Sequence, residues 1–184
     1  MFQFFYPSEY VNSAYEIDYE AFHEAGYRAV IFDIDNTLVP HGAPSDERSR
    51  ALIARLRALG MQVFLLSNNK EERVRKFDDG QQIPFIHKAG KPSRKNYRKA
   101  MEYMGTNCSD TLFVGDQLFT DVWGAKRTGM YHILVKPMDP KEEIQIVLKR
   151  KLEWIVLREY LKKTGNENAG TAKNDKKRGK KQKK

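Results

Sequence analysis

The sequence has only one cysteine, Cys108, among its 184 residues. A single thiol excludes an intramolecular disulfide and any cysteine-rich metal site, and it is typical of a protein in a reducing compartment. No window approaches the roughly 18 apolar residues that a membrane-spanning helix needs. The aromatic N-terminus, MFQFFYPSEY, also lacks the basic start and the long apolar run of a secretory signal. We therefore expect a cytoplasmic protein without a membrane span.

Positive charge is concentrated at the C-terminus. The formal net charge is +9, and from Gly165 onward eight lysine or arginine side chains face only two acidic ones, which gives +6. We predict a lead-in segment at residues 1–26, one folded domain at 27–163 and a disordered Lys-rich tail at 164–184. The tail either serves only solubility or contacts a polyanion, which could be RNA or an anionic membrane.

Strand and helix patterns alternate along the folded part of the chain. Apolar runs predict five strands, at 27–33, 61–67, 84–88, 111–116 and 131–137. Amphipathic helices are predicted between them, the first capped by Ser45, while residues 1–26 are predicted as a loop with a short helix. Because the strands are continuously apolar, they indicate a parallel sheet covered on both faces, which is a three-layer, Rossmann-like α/β fold.

The segment 141–163 predicts a long C-terminal helix. Its proposed apolar face consists of Ile144, Val147, Leu148, Leu152 and Ile155, and the apolar surface is broadened by Trp154, Val156, Leu157 and Leu161. The favoured interpretation is that this helix packs on the sheet. The alternative is that part of it rests on a membrane interface, together with the N-terminal aromatic residues Phe2, Phe4, Phe5 and Tyr6.

The stretch AVIFDIDNTLVP, residues 29–40, places Asp33 and Asp35 at the end of a buried strand. Buried carboxylates cost free energy unless a cation or hydrogen bonds compensate them. Ligands of open parallel sheets bind at the carboxyl ends of the strands, where Ser67, Lys91 and Asp116 are also expected.

A metal ion and a phosphate group together explain these residues. Carboxylates from separate strands, Asp33 and Asp116, suit Mg²⁺, with the backbone carbonyl of Asp35 as a further ligand and Asp121 in support. Lys91 and a hydroxyl beside such a metal favour a bound phosphate.

Four motifs, DIDNT, LLSNN, GKP and GDQLFTD, occur in this order at the predicted strand ends. In them the chain resembles phosphatases of the haloacid dehalogenase (HAD) superfamily. The opening FYPSEYV…IDYE…FDIDNTLVP and the stretch VGDQLFTDVWGAKRTGM resemble the YqeG family of subclass IIIA, which is related to mitochondrial phosphatidylglycerophosphate phosphatases. The resemblance covers roughly residues 4 to 160, and it implies a HAD core with bound Mg²⁺.

The resemblance also implies a role for each motif residue. Asp33 would be the nucleophile that forms an aspartyl-phosphate, and Asp35 the general acid and base. The implied phosphate-binding residues are Thr37, Ser67, Asn68 and Lys91, and the implied metal ligands are Asp33, Asp35 through its carbonyl, Asp116 and, in support, Asp121.

The spacing of the motifs leaves no room for a large cap domain. Only 33 residues separate Asp33 from Ser67, and 23 separate Ser67 from Lys91. An open site suits a substrate that brings its own cover, such as a lipid headgroup at a membrane, a macromolecule or an oligomer partner. The resemblance favours a phospholipid headgroup, phosphatidylglycerophosphate, hydrolysed at the inner face of the membrane. The sequence itself favours no oligomeric state.

Two alternatives stay open at this point. The chain could be a soluble phosphatase of a small phosphorylated metabolite, although the missing cap disfavours this. It could also be an interaction or assembly protein in ribosome or GTPase-linked processes, with an RNA-binding tail. The intact motifs argue against the second alternative.

Overall fold

The computed structural model of the chain describes residues 2–139 and 144–165, and of residues 144–150 the backbone alone. Its centre is one parallel sheet of six strands in the spatial order β1-β6-β5-β2-β3-β4. The strands are β1 (Glu9–Val11), β2 (Ala29–Phe32), β3 (Gln62–Leu66), β4 (Phe85–Ile86), β5 (Thr111–Gly115) and β6 (Tyr131–Val135). Residues 166–184, which make up most of the predicted tail, lie outside the described residues.

Helices connect and cover the strands. In the described part of the chain they are α1 (Tyr19–Glu24), α2 (Glu47–Ala58), α3 (Glu71–Asp78), α4 (Arg94–Met104), α5 (Trp123–Thr128) and α6 (Ile144–Thr164). One turn of π-helix, Leu118–Val122, leads directly into α5. None of the helices in the described residues is long and apolar enough to cross a membrane.

The side chains of β2 alternate between the two faces of the sheet. Val30 and Phe32 join the apolar cluster formed with α2 and α3, whereas Ala29 and Ile31 join the cluster formed with α4 and α5. All four are fully buried because helices cover both faces. The predicted three-layer α/β fold with a parallel sheet is therefore confirmed.

The intervals between the motifs contain no inserted domain. The chain between β2 and β3 forms α2 and its connecting loops, and the chain between β3 and β4 forms α3. These short connections confirm the predicted absence of a large cap over the carboxyl ends of the strands.

The lead-in segment contains a strand that the sequence analysis missed. Besides the short helix α1, it forms β1, which pairs in parallel with β6 through Glu9 and Ile133, Tyr10 and Leu134, and Val11 and Val135. The prediction of a loop and a short helix was therefore incomplete. A strand of three residues at the edge of a sheet gives no continuous apolar run, so its pattern is too short to identify.

Two details of the helices differ from the predictions. The N-cap of α2 is Asp46, not Ser45, because the Asp46 carboxylate accepts from the Ser49 amide in a capping box. On α6 the predicted inward residues Leu152 and Ile155 are exposed. The residues packed against the protein are Val156 and Leu157, from the broader apolar surface, together with Glu153 and Tyr160. The side chains of Ile144, Val147 and Leu148 lie outside the described part of the chain.

Glu153 explains why α6 turns Val156 and Tyr160, rather than Leu152 and Ile155, toward the protein. Its carboxylate accepts a hydrogen bond from the backbone amide of Phe119 at 3.0 Å. This polar contact fixes the rotation of the helix, and an apolar pattern alone does not reveal it. The favoured prediction, that α6 packs on the sheet, agrees with the buried side chain of Val156, which shares an apolar cluster with Leu134 of β6.

The order of the strands determines where a ligand can bind. From β2 the chain adds β3 and β4 on one side, and then crosses over to add β5 and β6 on the other. Phe32 of β2 is paired with Val114 of β5, so these two strands end side by side. In open parallel sheets ligands bind at such a reversal, at the carboxyl ends of the strands.

The turn after β5 is fixed by the buried side chain of Tyr97 on α4. Its hydroxyl donates to the backbone carbonyls of Thr120 at 3.0 Å and Asp121 at 3.2 Å. The ring has room only because residue 124 is glycine, since a Cβ at Gly124 would overlap the ring and its hydroxyl. The position of Asp121 therefore depends on this contact.

We expect Gly124→Ala to lower the free energy of unfolding by about 1–3 kcal/mol, because the added methyl group overpacks the contact with Tyr97. This loss exceeds the gain of up to about 1 kcal/mol in helix propensity. Urea unfolding measures the change, with Lys99→Ala on the exposed face of α4 as the control. A Gly124→Ala protein as stable as the wild type would show that Tyr97 is not tightly held.

Candidate active site

Lys91 forms two ion pairs inside the protein at the carboxyl edge of the sheet. Its Nζ lies 2.5 Å from Oδ1 of Asp33 and 2.7 Å from Oδ1 of Asp121, and its side chain is only 2% exposed. Asp33 directly follows β2, Lys91 follows β4, and Asp121 lies in the π-helical turn after β5. Three distant segments of the chain therefore meet at one ammonium group.

Asp116 completes an acidic cluster at this position. One oxygen from each of the carboxylates of Asp33, Asp116 and Asp121 lies within 4.8 Å of the others, and all three residues are buried. With one ammonium group beside three carboxylates, the cluster has an excess of negative charge. Hard divalent cations prefer carboxylate oxygens, and burying such charge without a counter-ion is costly. The donor set therefore fits a divalent metal ion.

The pKa values of the ion-paired groups reflect this excess of charge. Burial, with a smaller contribution from the Asp121 carboxylate, raises the pKa of Asp33 to about 7, against the opposing effect of the Lys91 ammonium group. Burial lowers the pKa of Lys91, but Asp121 and Asp33 together raise it by more. The ammonium form of Lys91 is therefore favoured, while burial opposes the ionised form of Asp33, and a cation in the cluster would favour it.

Asp121 is positioned by the turn that carries it. Its Oδ2 accepts a hydrogen bond from the backbone amide of Gln117 at 3.0 Å. The side chain also lies directly on Gly115, where a Cβ would come within 2.7 Å of three Asp121 atoms. Only glycine at the end of β5 leaves room for Asp121 to face Lys91.

Four hydrogen-bond donors hold the carboxylate of Asp35. Oδ1 accepts from the backbone amide of Gly42 at 2.7 Å and from Nε and Nη2 of Arg73 at 3.1 and 2.9 Å. Oδ2 accepts from Nδ2 of Asn69 at 2.7 Å, and Nδ1 of His41 lies 3.7 Å from Oδ1. Asp35 is thus kept apart from Lys91, although only one residue separates it from Asp33.

Arg73 and Asn69 were not among the predicted site residues. Asn69 closes the LLSNN motif, and Arg73 follows within the first turn of α3, so proximity to the motif was the only available signal. An arginine on a short amphipathic helix is ordinarily a solvated side chain. Here the guanidinium is largely buried against Asp35, with its side chain 13% exposed.

The predicted phosphate-binding residues occupy different positions in the structure. Asn68 and Lys91 brace each other, since the Lys91 amide donates to Oδ1 of Asn68 at 2.8 Å and Nδ2 of Asn68 donates to the Lys91 carbonyl at 3.3 Å. Ser67 directly follows β3, and its hydroxyl accepts from the amide of Asn69 at 3.2 Å. The buried hydroxyl of Thr37 has no hydrogen-bond partner among the described residues. Phosphate binding by these residues stays a prediction.

A cleft of about 190 Å³ lies between these side chains. It is lined by Asp33, Asp35, Asn36, His41, Ser67, Asn68, Asn69, Lys91, Gln117 and Thr120. Asp116 and Asp121 adjoin the cleft through the acidic cluster, whereas Thr37 does not line it. The cleft brings together a buried carboxylate, an ammonium group, a candidate metal site and a second carboxylate, which is an arrangement suited to phosphoryl transfer.

Comparison with known proteins agrees with this chemistry. Residues 88–137 match the protein family described as HAD-hydrolase-like. A protein of Bacillus subtilis named probable phosphatase YqeG is 35% identical over 165 residues, which cover 89% of this chain and 95% of that protein. The chain belongs to the YqeG family of HAD phosphatases.

A second relative of this HAD phosphatase is phosphatidylglycerophosphate phosphatase 1, chloroplastic/mitochondrial, of Arabidopsis thaliana. It is 28% identical over 179 residues, which cover 88% of this chain but 49% of the plant protein. Among solved structures, a HAD phosphatase from Thermococcus onnurineus aligns with a TM-score of 0.49 and 17% identity, covering 64% of this chain and 89% of that one.

We expect Mg²⁺ to raise the melting temperature of the wild type, because a cation that binds only the folded state adds about 2.7 kcal/mol of stability at 100 times its dissociation constant. Asp116→Asn removes a cluster carboxylate and should abolish this shift, whereas Glu102→Gln, an exposed residue of α4 with the same charge change, should keep it. The shift should weaken below pH 7 as Asp33 takes up a proton. An unchanged shift in Asp116→Asn would exclude the cluster as the metal site.

Proposed function

We propose that this HAD phosphatase is a Mg²⁺-dependent phosphomonoesterase that acts on phosphatidylglycerophosphate or a related phospholipid monoester, at the cytoplasmic edge of a membrane. The observation that supports phosphomonoester hydrolysis is the ammonium group of Lys91, which is shared between Asp33 and Asp121 and lies beside Asp116. The proposed substrate is supported by the name of the Arabidopsis thaliana relative and by the absence of a cap over the cleft.

In the first step an oxygen of Asp33 attacks phosphorus, and the bond between phosphorus and the leaving oxygen breaks. Asp35 gives a proton to that leaving oxygen, so the alcohol departs neutral. Lys91 compensates the negative charge of the transferring group, together with the hydroxyl of Ser67 and the amide of Asn68. The product of this step is an aspartyl-phosphate at Asp33.

In the second step Asp35 takes a proton from a water molecule, whose oxygen attacks the phosphorus of the aspartyl-phosphate. The bond to Asp33 breaks, inorganic phosphate leaves, and both carboxyl groups return to their initial state. Mg²⁺ bound by Asp33, Asp116, Asp121 and the Asp35 carbonyl would supply positive charge that stabilises the phosphoryl oxygens.

The test of this function uses Asp33→Asn, which keeps the shape of the side chain but removes the nucleophile. We expect a loss of at least about a thousandfold in turnover of both an aryl phosphate and phosphatidylglycerophosphate in mixed micelles. Asp110→Asn, on the loop before β5, is the control and should leave both activities unchanged.

Three other outcomes would redirect the proposal. Turnover of the aryl phosphate and of a small metabolite, without turnover of the lipid, would favour a soluble metabolite phosphatase. Rescue of a deletion strain by Asp33→Asn would favour an interaction or assembly role in ribosome or GTPase-linked processes. Loss of RNA retention on removal of residues 165–184 would strengthen that role.

Arg73→Ala tests the position of Asp35, since it removes two of the four donors. We expect turnover of an alkyl phosphate to fall about tenfold or more, and turnover of an activated aryl phosphate to fall much less, because only the alkyl leaving group needs the proton. Arg75→Ala on the same helix, where the exposed Arg75 pairs with Glu71, is the control. An equal loss with both substrates would instead indicate a general distortion of the cleft.

A further inference from the structure

A groove with several cationic side chains opens beside the catalytic cleft, and we call it the basic groove. It is lined by Gly90, Pro92, Ser93, Arg94, Lys95, Arg98 and Arg127. Four of these seven residues are cations and none is acidic. The four cationic residues are exposed, and none of them forms an ion pair with another residue in the described part of the chain.

The basic groove lies next to the reacting groups. Gly90 and Pro92 directly precede and follow Lys91, whose Nζ lies 2.5 Å from Asp33. The first two turns of α4 then carry Arg94 and Arg98 outward, and Arg127 of α5 faces them across the groove. A molecule bound in the groove therefore lies beside the loop that holds the catalytic lysine.

An aromatic edge continues the groove toward the N-terminus. The Arg127 guanidinium stacks over the ring of Trp123 at 5.0 Å, and the ring of Phe4 contacts Trp123 at a centroid distance of 6.1 Å. Phe4 is 55% exposed. The N-terminal turn is fixed there because Nζ of Lys126 donates to the carbonyls of residues 3 and 6, each at 2.9 Å.

We infer that the basic groove and Phe4 form the surface by which this phosphatase docks on an anionic phospholipid bilayer. The inference rests on the proposed lipid substrate and names the surface that presents it. Each basic side chain near an anionic membrane contributes on the order of 1 kcal/mol of attraction, and an exposed aromatic ring inserts favourably at the interface. Docking here brings lipid headgroups to the loop of Lys91, without a cap that has to open.

A bilayer fits these features better than a nucleic acid does. Single-stranded RNA is also attracted by cations and can stack a base on an exposed aromatic ring, but the groove opens beside the loop of Lys91, and the proposed substrate of that cleft is a membrane lipid. A flat anionic surface, in contrast, contacts the groove cations and Phe4 at the same time. The enzyme has to dock on the bilayer only if its substrate is a lipid that stays embedded in that bilayer during the reaction.

The test compares two charge-reversed variants of the full-length chain. Arg94→Glu with Arg98→Glu alters the basic groove, whereas Arg48→Glu with Arg57→Glu makes the same charge change on α2, which covers the opposite face of the sheet. Binding is measured by co-sedimentation with vesicles of equal parts phosphatidylglycerol and phosphatidylcholine, and with phosphatidylcholine alone. The Lys-rich tail is present in both variants, so their difference isolates the groove.

We expect the groove variant to bind the anionic vesicles at least about tenfold more weakly than the α2 variant, and the wild type to bind phosphatidylcholine alone weakly. Phe4→Ser should weaken the part of the binding that persists at high salt. Turnover of a soluble aryl phosphate should be unchanged in both double variants, because neither alters a residue of the cleft. Turnover of phosphatidylglycerophosphate in the anionic vesicles should fall only in the groove variant.

Failure of the docking surface and failure of the lipid substrate give different results. Equal vesicle binding by the two double variants would overturn the docking surface, even if the wild type hydrolyses the lipid. Groove-dependent binding without hydrolysis of phosphatidylglycerophosphate would overturn the proposed substrate and keep the surface. If the groove variant loses binding to a single-stranded RNA oligonucleotide but keeps vesicle binding, the groove is a nucleic-acid surface instead.

Discussion

The ammonium group of Lys91, placed between Asp33 and Asp121, is the interaction on which the site depends. It brings together residues that follow three different strands, and it keeps two buried carboxylates close to each other. The remaining details of this edge support that arrangement: Gly115 leaves space for Asp121, Tyr97 fixes the turn after β5, and Asn68 braces the Lys91 backbone. Much of the structure at the carboxyl edge of the sheet is therefore explained by the need to hold several negatively charged carboxylates close together.

The division between Asp33 and Asp35 follows from their surroundings rather than from their sequence spacing. Asp33 meets an ammonium group and two carboxylates, whereas Asp35 meets Arg73, Asn69 and a backbone amide. In the proposed mechanism Asp33 would serve the metal ion and phosphorus, and Asp35 would serve the leaving oxygen. The adjoining basic groove adds exposed positive charge beside the cleft, and it is the surface at which we propose that an anionic membrane presents the substrate.

The sequence was sufficient to predict the features that depend on repeated patterns. Continuously apolar strands predicted the covered parallel sheet, and polar residues at their ends predicted the meeting of Asp33, Lys91 and Asp116. Features that depend on a single contact were not predictable. The strand β1 is too short to show a period, Glu153 turns α6 through one hydrogen bond, and Arg73 reaches Asp35 from a helix that looks ordinary.

The proposed mechanism requires a covalent intermediate at Asp33, which the mass of the Asp35→Asn protein can reveal. The variant is mixed with Mg²⁺ and an aryl phosphate whose leaving group needs no proton, then quenched in acid and digested. We expect one added phosphoryl group on the peptide that contains Asp33, because the side-chain amide of the variant cannot activate the water that would remove it. Turnover by the wild type with no such adduct in the variant, or an adduct on another residue, would contradict it.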